Sequence, residues 1–227
     1  ITVEGSVKAD FDAVIARSRN VAESMSKGVN FLFKKNNIEH IRGFGRLKGN
    51  NTVEVESLEG DKKLLTASNI ILATGARSKE LPNLIQDGKR IIGYREAMTL
   101  GELPASMVIV GSGAIGSEFA NFYQVMGTSV TLVEFMPRIV PNEDEEVSKQ
   151  LERSFRKLKI KVLTSSSVES ADTSGEKIKV SIKTPKGIET VETDIVLSAV
   201  GVTPNIEDID HSNFFMVRMN DKCRHNR

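Results

Sequence analysis

The chain of 227 residues holds one cysteine, Cys223, and no tryptophan. A single thiol excludes an internal disulfide and any redox centre built from two cysteines of this chain. It makes the cytosol or an organelle matrix the expected setting. A surplus of one charge is missing too: 31 basic and 30 acidic side chains leave a formal net charge of +1. No global field then draws the chain to nucleic acid or to a membrane. No apolar run approaches the roughly 18 residues needed to span a bilayer, and the polar first residues lack the apolar core of a signal peptide. Metal ligands are scarce, with 3 histidines in all. Cys223 and His225 are too few, and at no zinc-binding spacing, so no metal site is expected. The chain starts at Ile1 rather than at methionine, which reads as a piece of a longer protein.

What is present concentrates in residues 108–134, VIVGSGAIGSEFANFYQVMGTSVTLVE. An apolar run leads into Gly111-Ser112-Gly113-Ala114-Ile115-Gly116, an amphipathic stretch follows, and a second apolar run ends on Glu134. A strand, a G-x-G-x-x-G turn, a helix and a strand, with an acid about 20 residues on, form the pattern of a site for a dinucleotide's pyrophosphate and adenosine ribose. Gly111 permits the tight turn, Gly113 lets backbone approach the pyrophosphate, and Gly116 lets the helix pack closely on the strand. The amides after Gly113 face the phosphates at the positive end of the helix dipole. Glu134 can accept hydrogen bonds from both ribose hydroxyls, and its charge repels a 2′-phosphate. NAD is therefore favoured over NADP, a preference that Arg138 softens without reversing.

The rest of the chain falls around this segment. Apolar residues at helical spacing over 10–36, with Asp10 as N-cap and Lys34 and Lys35 at the far end, predict a long helix. Short β runs follow at 38–47, 52–57 and 63–67, then a compact apolar strand at 69–74 running into Gly75-Ala76. Residues 77–104 are rich in glycine and proline and read as a loop crossing between domains. Beyond Glu134, residues 142–159 predict a helix started by acids and ended by bases. A strand follows at 160–163, then β runs at 167–172, 177–183 and 188–192, and a closing strand at 194–200. The expected class is α/β: a Rossmann-like unit with a parallel sheet and a small β-meander flap. Three regions result: 1–103, 104–207 and a patternless tail, 208–227, expected to be disordered.

The run GSGAIGSEFANFYQVMGTSVTLVE closely resembles the NAD-binding core of the flavoprotein disulfide reductases, in particular their dihydrolipoamide-oxidising branch. GVNFLFKKNNIEHIRGFGRL, IILATGARSKELP and LSAVGVTPN carry the same likeness, which covers residues 1–208. The resemblance implies that region 1–103 is part of an FAD-binding domain and that 104–207 is the NAD-binding domain. It implies FAD contacts through the backbone of Thr74, Gly75 and Ala76, with Gly45, in a turn from Gly43 to Gly45, near the adenosine end. Gly111, Ser112, Gly113, Ala114, Ile115, Gly116 and Glu134 would hold NAD, with Val168 beside the adenine and Gly201 near the nicotinamide half. Glu118, taken to lie on the first turn of the dinucleotide helix, would sit where flavin meets nicotinamide. Each assignment has a plainer counterpart. Gly75 and Gly201 could simply end strands, Glu118 could be a solvated helix acid, and Val168 is a core strand residue whatever else it does.

The family's reaction passes electrons from dihydrolipoamide through a disulfide and FAD to NAD, in a homodimer that serves a 2-oxo acid dehydrogenase complex. It needs a redox cysteine pair, a first FAD fingerprint and a His-Glu pair, and this sequence carries none of them. The resemblance thus implies a central piece of a pyridine nucleotide-disulfide oxidoreductase, cytoplasmic or of the mitochondrial matrix, with no catalytic residue of its own and an incomplete FAD site. Two other readings share the same residues: a piece of an NADH oxidase or mercuric reductase type enzyme, and a non-catalytic NAD-binding module.

Overall fold

A computed structural model describes residues 5, 7–49 and 51–207. Along the chain come a helix α1 (Phe11–Lys35) and a meander of β1 (Phe44–Leu47), β2 (Thr52–Glu56) and β3 (Lys62–Thr66). Next are β4 (Ala76–Ser78), β5 (Ile91–Ile92) and α2 (Tyr94–Ala97). The fingerprint segment supplies β6 (Ser106–Val110), α3 (Ala114–Met126) and β7 (Ser129–Val133), followed by α4 (Glu145–Lys157) and β8 (Lys161–Leu163). The flap is β9 (Ser167–Asp172), β10 (Ile178–Thr184) and β11 (Gly187–Thr193), and β12 (Ile195–Ser198) and β13 (Val202–Pro204) close the order. The chain divides into two units, one of residues 1–26 and 77–203, the other of residues 27–76 and 204–227.

In the first unit five strands form a parallel sheet in the order β5-β12-β6-β7-β8. Its strands read as near-continuous apolar runs because helices and the flap cover it, as parallel sheets require. On one face Met107, Ile109, Val130, Leu132 and Leu197 pack with Tyr123 of α3 and Phe155 of α4. On the other, Val108, Val110, Val133 and Val196 pack with Val168, Ile178, Val180 and Ile182 of the antiparallel flap β11-β10-β9. Alternation along each strand sends successive side chains to these two cores. Phe11, the one buried residue of α1, joins the first core, its ring 6.3 Å from that of Tyr123.

Local chemistry accounts for the helices. Asp10 caps α1 by accepting from the Ala13 N–H, as expected from the sequence, and Asn37 in the left-handed region ends it. α3 ends at Gly127 (φ 112), whose N–H reaches the Gln124 and Tyr123 carbonyls. Asp144 caps α4 through the Glu146 N–H, with Glu145 and Glu146 in its first turn and Arg156 and Lys157 in its last.

Three expectations fail. Residues 38–43 are not strand, because β2 supplies partners only for Phe44 to Leu47. The apolar strand expected at 69–74 does not form either: Ile71 is 91% exposed, and a strand exists only where a neighbour completes its ladder. The expected loop at 77–104 instead contains β5, which extends the parallel sheet beside β12, and the one-turn α2. Both are too short to show a period in sequence. Expectations for 208–227, including the metal reading at Cys223 and His225, lie outside the described residues. Among the described residues, no helix is long and apolar enough to cross a membrane.

Candidate functional site

The fingerprint turn lies at the carboxyl edge of the parallel sheet. β6 leads to β7 on one side, while β12 flanks it on the other, so strand order reverses between β6 and β12. Such a switch point opens a crevice beyond the strand ends. A cleft of about 760 Å³ occupies it, lined by Gly111, Gly113, Ala114 and Ile115 from the turn, Glu134 after β7, Val168 in the flap and Gly201 after β12. The structure thus gathers seven of the sequence-selected residues around one cavity.

The three glycines divide their work as their positions in the motif suggest. At Gly111 (φ 97) a Cβ would fall 2.5 Å from the Ala199 carbonyl oxygen, where β6 and β12 meet. At Gly116 it would fall 1.9 Å from the Gly111 carbonyl oxygen, inside the closest helix–turn contact. Gly113 has nothing within 4 Å, so its missing side chain leaves room in the cleft rather than room for protein. Gly113 also precedes α3, which carries no side-chain cap and no acid in its first turn. Amides with a positive dipole end therefore face a space that a Cβ at Gly113 would narrow, which fits a pyrophosphate.

Glu134 is 6% exposed and held by three donors. Its Oε2 accepts from the Ser112 N–H at 2.8 Å and the Ser112 hydroxyl at 2.6 Å, and its Oε1 accepts from the Met136 N–H at 2.7 Å. Arg138, the residue that could welcome a 2′-phosphate, donates instead to the carbonyls of Pro141 (2.9 Å) and Glu143 (3.3 Å) and does not line the cleft. Val168 is buried, and its carbonyl accepts from the Asn83 side chain. Gly201 (φ 104) accepts through its carbonyl from the Lys79 N–H at 3.0 Å. Lys79 and Asn83 line the cleft too, and neither was visible in sequence, since both come from the stretch read as a loop. Ser112 is fully buried and reaches the site through Glu134 rather than by lining it.

Outside the cleft, the acids and the phenol with shifted titration serve the fold. Asp194 holds the start of β6 through the Ser106 N–H and hydroxyl and pairs with Lys177. Partial burial works against its charge, but these donors outweigh it and hold the carboxyl below its ordinary range. Asp87 is likewise lowered: burial opposes its charge, but the amides of Lys89, Arg90 and Ile91 prevail and fix the approach to β5. Tyr123 donates to the Ala97 carbonyl, and burial pushes its phenol up to about 12.

Glu118 falls one residue beyond the helical turn that the sequence reading gave it. α3 begins at Ala114 and has no acid in its first turn, so Glu118 stands just beyond that turn; it is exposed and does not line the cleft.

The second unit holds the remaining selected residues. Gly45 is not in a turn but in β1, paired with Val55. The Thr74 hydroxyl donates to the Asn205 carbonyl at 2.5 Å, the Asn205 N–H donates to the Gly75 carbonyl at 3.0 Å, and the Asn205 side-chain amide donates to the Thr74 carbonyl at 3.2 Å. Gly75 (φ 73) needs the left-handed region for this knot. The polar groups of Thr74 and the carbonyl of Gly75 are thus engaged within the chain. Ala76 opens β4.

The family model for pyridine nucleotide-disulphide oxidoreductase matches residues 2–226. The dihydrolipoyl dehydrogenase of Zymomonas mobilis is 42% identical over 207 residues, which are 90% of this chain and 44% of that protein. The mitochondrial dihydrolipoyl dehydrogenase 1 of Arabidopsis thaliana is 35% identical, over 90% of this chain and 41% of that protein. The crystal structure of LpdA from Mycobacterium tuberculosis superposes with a TM-score of 0.82 at 26% identity, covering 92% of this chain and 46% of that one. This chain therefore spans less than half the length of the proteins it resembles. The fold, the fingerprint and the match along nearly the whole sequence agree: the chain belongs to the pyridine nucleotide-disulphide oxidoreductase family.

Proposed function

We propose that the cleft at the carboxyl edge of the parallel sheet binds NAD(H). The pyrophosphate lies on the amides after Gly113, the adenosine ribose on Glu134, the adenine beside Val168 and the nicotinamide half toward Gly201. The observation that carries this reading is the pairing of an empty Cβ position at Gly113 with an uncapped helix start in a cleft of about 760 Å³. The engagement of Arg138 with backbone carbonyls, together with the carboxylate of Glu134, supports NAD over NADP.

By likeness to the dihydrolipoyl dehydrogenases, the whole protein oxidises dihydrolipoamide and reduces NAD, with FAD and a redox disulfide between them. It does so as a dimer within a 2-oxo acid dehydrogenase complex, in the cytoplasm or the mitochondrial matrix. When bound, NAD supplies the hydride-accepting ring. This chain's own residues bind and orient it, and with Cys223 as the one cysteine they offer no pair to take electrons from a dithiol. The purified chain should bind NADH saturably at one site, read by calorimetry, and show no lipoamide-dependent NADH oxidation. Robust turnover by the 227-residue chain would overturn the division between a nucleotide-holding piece and an absent dithiol centre.

A further inference from the structure

In the fingerprint Ser112 fills a place between two glycines that the motif leaves open to any residue, yet its bonds single it out. It is fully buried, and its N–H and hydroxyl both donate to Oε2 of Glu134, at 2.8 Å and 2.6 Å. The Val140 N–H donates to the same hydroxyl oxygen at 3.3 Å and to the Ser112 carbonyl at 3.0 Å. A hydroxyl that accepts from an N–H directs its single proton elsewhere, here to the carboxylate. A carboxylate offers about four acceptor positions. Two on Oε2 and one on Oε1 are taken, which leaves one on Oε1 for a ligand in the cleft that Glu134 lines, room for one ribose hydroxyl rather than the two expected from the sequence.

Val140 is itself unusual. Its φ of 39 lies in the left-handed region, where a β-branched residue is rare and persists only if its surroundings hold it. The bonds to Ser112 hold it from one side. From the other, its carbonyl accepts from the Glu143 N–H at 2.9 Å and the Ser148 hydroxyl at 3.4 Å. The segment between Glu134 and Val140 contributes Phe135 and Met136 to the cleft wall.

We propose that Ser112 is a positioning residue that sets nucleotide specificity. Its hydroxyl pins Glu134 so that one Oε1 position takes a single ribose hydroxyl and the carboxylate cannot swing aside for a 2′-phosphate. Through Val140, the same residue clasps the segment after β7 onto the turn. This rests on the cleft being a dinucleotide site.

The test is a fluorescence titration of the 227-residue chain with NADH and with NADPH, for wild type, Ser112→Ala and Ser112→Cys, with thermal melts alongside. Removing one hydrogen bond to a charged group should weaken NADH about tenfold in Ser112→Ala. NADPH should change less than about twofold, so discrimination falls. Ser112→Cys keeps the size and a weak donor, so it falls between and serves if the alanine variant does not fold. Unchanged NADH affinity, or an equal loss for both nucleotides, would overturn the proposal. A wild-type chain that binds neither nucleotide would instead remove the cleft reading itself, a result distinct from any change among variants.

Discussion

Two glycines sit inside helices of this chain, Gly28 in α1 and Gly116 in α3. By intrinsic propensity both are the same defect, about 1 kcal/mol worse than alanine. In the structure they are opposites. Nothing lies within 4 Å of a Cβ at Gly28, on a helix whose apolar residues are largely exposed, Met25 and Phe31 among them. A Cβ at Gly116 would overlap the Gly111 carbonyl oxygen at 1.9 Å. One glycine is a residue that a helix tolerates; the other is the reason α3 can lie against its own strand turn. Tertiary contact, not helix propensity, decides what a glycine does.

Substitution should pull the pair apart. Gly116→Ala should destabilise the parallel-sheet unit by about 3 kcal/mol or more, since neither backbone can yield without breaking the turn. Urea denaturation followed by circular dichroism measures it. A loss under about 1 kcal/mol would mean that the helix slides away freely.

The packed core of the same unit gives a second contrast. Both tyrosines, Tyr94 and Tyr123, fall outside residues 27–76. The phenol of Tyr123 rises from 10.0 to about 12 on folding, so its neutral form is favoured in the native state. That contribution is fully present below pH 10.0 and is lost as pH rises toward about 12. Stability of wild type should therefore fall across this window more steeply than that of Tyr123→Phe, which itself gives up about 1 kcal/mol at neutral pH with the bond to Ala97. Parallel alkaline melts of the two proteins check it, and identical slopes would contradict the buried phenol.

The smallest effect belongs to the other glycine. Gly28→Ala should be neutral to stabilising, by up to about 1 kcal/mol, in the same urea experiment.

Much of this was legible in sequence because it is local. The helices α1, α3 and α4 carry their caps and periodicity within a few residues, at Asp10, Gly127 and Asp144. The flap strands alternate around their hairpin turn. What sequence could not show is pairing at a distance. Residues 69–74 are as apolar as β6, yet β6 lies between β12 and β7 while 69–74 forms no strand. β5 is only two residues long and exists because β12 accepts it as a neighbour. The cleft followed the same rule. Gly111, Gly113, Gly116 and Glu134 were marked by motif spacing, whereas Ser112 binds a partner 22 positions away and Asn83 one 85 positions away. No short pattern encodes either bond. Glu118 was placed one residue too early in its helix, an error that the observed start at Ala114 removes.

Gly113 offers the most direct test of a dinucleotide site, because it belongs to the same motif as Gly116 but faces open space. Its backbone (φ −62, ψ −175) suits any residue, so Gly113→Val should cost the fold only about 1 kcal/mol as a poor N-cap. Calorimetric titration with NADH, of wild type and of this variant, is the deciding measurement. Saturable one-to-one binding by wild type that falls at least about a hundredfold in Gly113→Val, with an unchanged circular dichroism spectrum, is the expected result. Equal affinity in the two proteins, or no saturable binding by wild type, would contradict a nucleotide pyrophosphate lying on the start of α3.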